Sequence, residues 1–394
     1  MMTDLPRRRT QARVDLSALT DNIRTLAARA GGAGVILPVK ADAYGHGLLP
    51  VARQAVRAGV AMLAVANAQE LASLREAGIG HPAVILEDLF DDELQAAVAD
   101  AEARFNVSSP AYAQRLSAAA VAAGMRARVH LNLDTGMGRM GHLTDRPVED
   151  ARAVAQLPGV DLEGVFTHFP DADEEDLTFA RGQLEYFSQI VATLEQAGLS
   201  PRFRHIANSA AIMVFGQDAA FDLVRPGVSA YGMYPSTSVA GRMRTAVPLR
   251  PCMRVVSAVA KLTRYDREWT VGYGRSYAVR PGSRIGVVPV GYGDGYRRAL
   301  SNRGTAVVHG IRVPVCGRVS MDMITLDLTD VPEDVEVGDE VVLLGDQEYA
   351  GRSAAVSAEE MAERIDTISY EITCGFTPRI PRIYTGTDGR SMST

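Results

Sequence analysis

The sequence predicts an α/β protein: an N-terminal (β/α)8 barrel followed by a mainly β C-terminal domain. Three observations carry this reading. Eight short apolar runs alternate with helical patterns between residues 35 and 227. The runs are continuous rather than alternating, as in parallel strands covered on both faces. After about residue 247 the texture changes to valine-rich segments punctuated by glycine and proline, the pattern of strands and turns. At 394 residues the chain exceeds one small domain. The division expected is a tail over 1–12, a barrel over 13–246 and a β domain over 247–394.

The barrel strands are read at VILPVK (35–40), MLAVAN (62–67), AVILE (83–87), ARFNV (103–107), RVHLNLD (128–134), LEGVFTH (162–168), RFRHIAN (202–208) and FDLVRP (221–226). Helical stretches such as AQELASLREAG and PAYAQRLSAAAVAAG separate most of them, and several end at a glycine able to close the helix in a left-handed conformation. Eight strand–helix repeats are the sequence form of a barrel of about 250 residues. An earlier segment, RVDLSALTDNIRTLAARAGG, adds a strand and a helix with Ser17 as its cap. In the β domain one helix is expected near SAEEMAERIDTISYEITC. The basic run at 7–9 reads as a loose tail, and DADEED (171–176) as a solvated loop feeding a helix rather than a metal site.

Composition excludes several classes. A net charge of −6 disfavours a nucleic-acid binder working through a basic surface. No apolar run reaches the roughly 18 residues of a membrane span, and no apolar stretch follows the basic start as it would in a secretory signal. Cys252, Cys316 and Cys374 are far apart and odd in number, fitting neither a disulfide framework nor a zinc site. A reducing cytoplasm is the expected setting.

Of 41 basic residues only two are lysine, Lys40 and Lys261. Arginine stays protonated in proteins, whereas a lysine amine can lose its proton and form a Schiff base. Lys261, within VVSAVAKLTRY, reads as a strand residue with a solvated head. Lys40 lies at the end of the first barrel strand, and barrel chemistry gathers at the C-terminal strand ends. Those ends supply Lys40, Arg139 in DTGMGRMG, His168, Asn208 with Ser209, and Arg225 followed by Pro226 and Gly227. A lone lysine, a phosphate cup after strands seven and eight, and arginines form a coherent set for pyridoxal phosphate. GMGRMG (136–141), with Asp161 some way on, imitates a dinucleotide fingerprint. It does not open a helix, because LTDRP follows and the next helix is expected near Pro147.

PVKADAYGHG (38–47), LDTGMGRMG (133–141), THF (167–169), ANSAA (207–211), RPGVSAYG (225–232), VGYG (271–274), GYGDGY (291–296), GRVSMDM (317–323) and SYEI (369–372) together resemble the bacterial alanine racemase family. The matches run in order over nearly the whole chain, which makes the set far more specific than any one fragment. The resemblance implies a fold-type-III pyridoxal 5'-phosphate enzyme acting as a head-to-tail homodimer with shared active sites, supplying D-alanine for peptidoglycan. Lys40 matches the cofactor lysine and the base for the D-enantiomer. Tyr273 matches the opposing base for the L-enantiomer, reaching the partner subunit's site. A free phenol titrates near about 10, so such a base needs donors or positive charge beside it.

The resemblance further implies that His168 links Tyr273 to Arg225, whose guanidinium faces the pyridine nitrogen. A guanidinium donates but does not accept a proton, which leaves the ring a weaker electron sink and favours racemisation over transamination. Tyr44, Ser209, Gly227 and Tyr370 match phosphate contacts, with Asn208 beside them. Arg139 matches a contact to the phenolic oxygen and substrate carboxylate, and Met321 a substrate contact from the partner. Tyr292 and Asp322 match residues lining and supporting the entrance, and Asp134 a supporting group. Asn132 departs from the pattern, standing where many members have a carbamylated lysine that orients the arginine; an amide, a water or an anion takes that role here. Ser320 replaces a common cysteine. The alternatives are a racemase for another amino acid such as serine, a barrel-type decarboxylase, which lacks the counterpart of Tyr273, and a non-catalytic cofactor carrier, which needs no β domain.

Overall fold

The computed structural model describes residues 8–332, 334–386 and 392–393. They form two compact units. One comprises Leu19–Ala43 and Leu48–Leu249; the other comprises the described residues up to Ala18, Tyr44–Gly47, and those from Arg250 onward.

A first strand, β1 (Gln11–Asp15), precedes the barrel strands β2 (Gly34–Pro38), β3 (Met62–Val65), β4 (Ala83–Ile85), β5 (Ala103–Val107), β6 (Ala127–Asn132), β7 (Val160–Phe166), β8 (Phe203–His205) and β9 (Leu223–Val224). All eight barrel strands fall within or beside the runs read from sequence. They pair in parallel in the order β8-β7-β6-β5-β4-β3-β2-β9. The ring closes between its two ends: Arg225 N–H donates to the Ala207 carbonyl (2.9 Å) and Asp222 N–H to that of Arg204 (3.0 Å), and a parallel bridge joins Asn208 to Arg225. Every residue of β3, β4 and β5 is buried, which explains their unbroken apolar pattern. Between strands, caps start the helices where the sequence offers a short polar side chain. Asn67 accepts from Glu70 N–H, Ser109 from Tyr112 N–H and Asn208 from Ala211 N–H.

Three expectations are corrected. Ser17 does not cap the first helix, Leu16–Arg29. Asp15 does, its carboxylate accepting from the N–H groups of Ser17 (2.8 Å) and Ala18 (3.1 Å), because a carboxylate one residue before the helix outcompetes a hydroxyl inside it. From Arg8 onward the N-terminal segment is not a loose tail. β1 buries alternate residues and pairs antiparallel with one strand (Ala12 opposite Val255) and parallel with another (Ala12 opposite Arg382), so Gln11–Asp15 belongs to the β unit's sheet. Arg8 forms a two-point ion pair with Asp294 (2.6 and 3.0 Å); Arg7 of the same basic run lies outside the described residues. The single C-terminal helix is two, Ala358–Glu363 and Ser369–Cys374, broken at Asp366 where φ is +57°.

The β unit continues with β10 (Met253–Ala258), β11 (Lys261–Arg264), β12 (Trp269–Val271), β13 (Tyr277–Val279), β14 (Arg284–Val288), β15 (Thr305–Val308), β16 (Ile311–Pro314), β17 (Ile324–Asp327), β18 (Glu340–Tyr349), β19 (Arg352–Val356), β20 (Arg382–Thr385) and β21 (Met392–Ser393). Its main sheet runs β16-β15-β18-β10-β1-β20-β21, with β19 on β18. A three-stranded sheet β11-β14-β17 and the hairpin β12-β13 complete it. Lys261 is exposed on β11, as its strand context suggests.

Candidate active site

The chain leaves β2 through an unusual turn. Ala41, Asp42, Ala43 and Tyr44 all have φ between +52° and +55°, a left-handed run that costs L-residues roughly 1–2 kcal/mol each. Three contacts hold it. Ala43 N–H donates to Val39 O (2.8 Å). Asp42 accepts from Leu48 N–H (2.7 Å). Glu70 clamps the rim with both oxygens, accepting from Ala41 N–H (2.7 Å) and Ala66 N–H (2.7 Å). Lys40 is the residue at which this turn begins.

Arg225, just past β9, is buried at 6% exposure. Its Nη1 donates to His205 Nδ1 and to His205 O (3.1 Å). Its Nη2 donates to Thr167 O (2.7 Å), Ile206 O (3.1 Å) and His168 Nδ1 (3.3 Å). The four terminal N–H donors are thus engaged at the ends of β7 and β8. Among the described residues Nε–H has no acceptor and is not enclosed. Burial, then the charge of Arg139, pulls the guanidinium down to about 9. Burial and the positive charges of Arg225, Arg139 and Lys40 hold His168 well below the ordinary histidine range, so it is neutral near pH 7. Lys40, Arg139 and Arg225 thus place their positive charges around a neutral His168.

The loop bearing Arg139 folds back on its own strand. Asp134 accepts from Gly136 N–H and Gly138 N–H, both at 2.8 Å, and His142 N–H donates to Asn132 O (2.6 Å). A Cβ on Gly141 would lie 2.6 Å from Asp134 N, so that glycine permits the return. The Asn132 amide donates to Asn106 Oδ1 (3.0 Å) and Met140 O (3.3 Å), and Asn106 donates to Asp88 (2.7 Å). The GMGRMG segment is therefore a closed loop, and the next helix starts at Pro147. After β8, Asn208 caps helix Ser209–Phe215. Ser209 Oγ accepts from Ser229 N–H (3.2 Å), bringing the two loops after β8 and β9 together around Gly227. Among the described residues the buried Ser229 hydroxyl has no partner.

The remaining predicted residues lie in the β unit. Tyr44 and Tyr370 meet there with ring centroids 5.9 Å apart. Tyr273 sits on a tight turn between β12 and β13 and is 69% exposed. Gly272 supplies that turn's φ of +80°, and a Cβ on it would approach Arg318 N at 2.8 Å. Tyr292 N–H donates to Ser320 O (3.0 Å) and Gly293 N–H to Met321 O (2.8 Å), joining the loop of Tyr292 to that of Met321, which is 53% exposed. Asp322 accepts from Arg379 Nη2 (2.7 Å).

Sequence reasoning missed His205, His130 and Glu163, which line up behind Arg225. A signal was available: two of the seven histidines fall inside continuous apolar strands, where a polar ring must find partners.

A closed (β/α)8 barrel with one lysine at a strand end, a cationic mouth and an appended β unit defines a two-domain barrel enzyme. Family models describe the same two parts: the alanine racemase N-terminal domain matches residues 14–235 and the C-terminal domain residues 252–384. The alanine racemase of Desulfosudis oleivorans is 41% identical over 383 residues, covering 95% of this chain and 96% of that protein. The structure of alanine racemase from Clostridium difficile 630 superposes with a TM-score of 0.89 at 31% identity, covering 99% of this chain and 98% of that one. That of the Bacillus anthracis alanine racemase with bound L-Ala-P gives 0.86 at 31% identity, with the same coverage. The chain belongs to the alanine racemase family, and so to the isomerases. Among the described residues no helix is long and apolar enough to cross a membrane.

Proposed function

We propose that the protein interconverts L-alanine and D-alanine with pyridoxal 5'-phosphate, as a cytoplasmic homodimer with shared active sites that feeds peptidoglycan synthesis. The observation that carries the reading is the cationic mouth: the barrel's only lysine, at a strained strand end, shares its electrostatics with Arg139, Arg225 and a neutral histidine. A relative of this fold crystallised with L-Ala-P supports the substrate.

The donor set suits the cofactor. Arg225 keeps one N–H, at Nε, without an acceptor among the described residues. The buried Ser229 hydroxyl likewise lacks a partner there, beside Ser209 and Gly227. Lys40 would hold the cofactor aldehyde, Arg225 Nε–H would meet the pyridine nitrogen, and the Ser209–Gly227 loops, with Tyr44 and Tyr370, would hold the phosphate. When bound, pyridoxal phosphate supplies an electron sink that acidifies the substrate Cα.

The chain's own groups do the rest. The Lys40 amine takes or returns the Cα proton on one face, and the Tyr273 phenol oxygen of the partner subunit does so on the other. Two bases on opposite faces invert the centre without either having to move around it. Arg139, with Met321 of the partner subunit, holds the substrate, and Asp134 keeps the Arg139 loop closed. Arg225 donates without accepting, so it would leave the cofactor's ring nitrogen unprotonated. Tyr292 and Asp322 frame the entrance. The exposed Tyr273, Tyr292 and Met321 favour a second subunit as their cover.

The test incubates the cofactor-loaded protein with L-alanine and, separately, L-serine in D2O. The expected result is α-deuteration coupled to optical inversion of alanine, a Lys40 adduct trapped by borohydride, and loss of both in Lys40→Ala. A protein that takes up no cofactor and deuterates neither substrate overturns the proposal; faster inversion of serine moves the substrate.

A further inference from the structure

Behind Arg225 the barrel interior holds ionisable groups that the reaction above does not use. His205 and His130 are both fully buried, and Glu163 and Arg104 are nearly so. They are linked in series. His205 Nδ1 meets Arg225 Nη1, His205 Nε2 lies 2.8 Å from His130 Nδ1, and His130 Nε2 lies 3.4 Å from Glu163 Oε2. The same carboxylate oxygen pairs with Arg104 Nε at 3.1 Å.

Donor logic admits one arrangement. A guanidinium has no acceptor, so His205 Nδ1 must accept from Arg225. A neutral His205 then carries its proton on Nε2 and donates to His130 Nδ1. His130 in turn carries its proton on Nε2 and donates to the Glu163 carboxylate. The reverse order would require His205 to accept at both nitrogens, which a neutral imidazole does not do. Burial lowers the proton affinity of both rings, consistent with neutrality. The packing is built around these rings. The β6–β7 register shifts between Val129 and His130, a Cβ on Gly164 would fall 2.8 Å from His130 Cγ, and Phe166 stacks on His205 at 4.7 Å with the Arg225 guanidinium 5.2 Å from its centroid.

We propose that Glu163, His130 and His205 are positioning residues for Arg225: a one-way hydrogen-bond relay through the barrel interior that fixes the guanidinium so that its Nε–H stays turned to the mouth. The proposal rests on the reading above that this N–H serves the cofactor ring. Breaking the relay far from the mouth should then disturb Arg225, while a side chain that still accepts from His130 should not.

The experiment uses the full chain with 15N-labelled histidine, with and without pyridoxal phosphate, in wild type, Glu163→Gln, Glu163→Leu and His130→Leu. The expected spectrum at pH 7 shows His130 and His205 both as Nε2–H tautomers, kept in Glu163→Gln, whose amide oxygen still accepts. In Glu163→Leu the His130 Nε2–H signal loses its hydrogen-bonded shift, and kcat falls on the order of 10- to 100-fold through a misdirected Arg225, with the KM for alanine little changed. Glu163→Gln restores kcat to within a few-fold of wild type. An Nδ1–H tautomer on either ring overturns the relay. A folded Glu163→Leu or His130→Leu with wild-type kcat overturns its positioning role. The spectra need no turnover, so a protein inert toward alanine would sink the proposed function and leave the relay tested by the tautomers.

Discussion

The barrel mouth and the Tyr273 turn of the β unit handle charge on opposite plans. Arg225 is 6% exposed, and its own unit engages all four of its terminal N–H groups. Tyr273 is 69% exposed on a turn that glycine backbone geometry holds in shape. The first group is oriented from within one chain. The second is left exposed together with Met321 and Tyr292, and under the proposed function what it acts on comes from a partner subunit. Burial thus separates a residue held by intramolecular contacts from residues left exposed.

The sharpest way to break this contrast is complementation. Lys40→Ala and Tyr273→Phe should each lose on the order of 10²–10⁴-fold of racemase activity. Tyr273→Phe should leave stability within about 0.5 kcal/mol, because it deletes an exposed hydroxyl. If the sites are shared, mixing the two inactive variants builds one intact site in each mixed dimer. Random reassociation should then restore about a quarter of wild-type activity. No recovery on mixing, with dimers exchanging by native mass spectrometry, would return Tyr273 to its own chain's site.

How much was legible in advance follows the same contrast. Strands such as β3, β4 and β5 were readable because two-sided burial leaves a continuous apolar run, and Lys40 because arginine replaces lysine almost everywhere else. The Asp15 cap was missed because Ser17 is also a good cap and only the backbone decides between them. The boundary drawn between residues 12 and 13 cuts through β1 because a local sequence does not name the sheet a strand joins; the pairing partners lie some 240 or more residues away. The histidine relay was hidden because β6, β7 and β8 are neighbours in the sheet but the end of β9, which carries Arg225, reaches them only through barrel closure.

The buried plan can be broken through pH. His130, His168 and His205 are held neutral in the folded state, chiefly by burial. As pH falls through about 6.5 the unfolded chain binds protons that the folded chain does not, so stability falls by up to about 1.4 kcal/mol per pH unit for each histidine. Glu163, held low despite its burial, loses its contribution only near and below about 4.3. Asp88, pushed up by burial, works with the opposite sign, in the range above about 3.9. Urea unfolding at pH 8, 7, 6 and 5 should show midpoints dropping steeply below pH 7. Hydrogen exchange should place the loss in β6–β9 rather than β10–β20. A flat profile between pH 7 and 5 would show that these rings are charged in the folded state.

The smallest effect tests the packing beneath the mouth. An added methyl at Gly164 would sit 2.8 Å from His130 Cγ, 2.9 Å from Nδ1 and 3.0 Å from Cδ2. A buried ring hydrogen-bonded at both nitrogens has no room to retreat, so Gly164→Ala should cost about 1–3 kcal/mol through overpacking. Gly182, inside helix Thr178–Gln196, is the internal control: a Cβ there would meet nothing within 4 Å, and its φ is not positive. Gly182→Ala should stabilise by roughly 0.5–1 kcal/mol, because alanine loses less backbone entropy in a helix. Both substitutions add the same methyl, so opposite shifts in the urea midpoint isolate the His130 contact from any general effect of removing glycine. Equal shifts of either sign would mean that β7 adjusts to admit the methyl, and that the ring behind Arg225 is less firmly seated than its hydrogen bonds require.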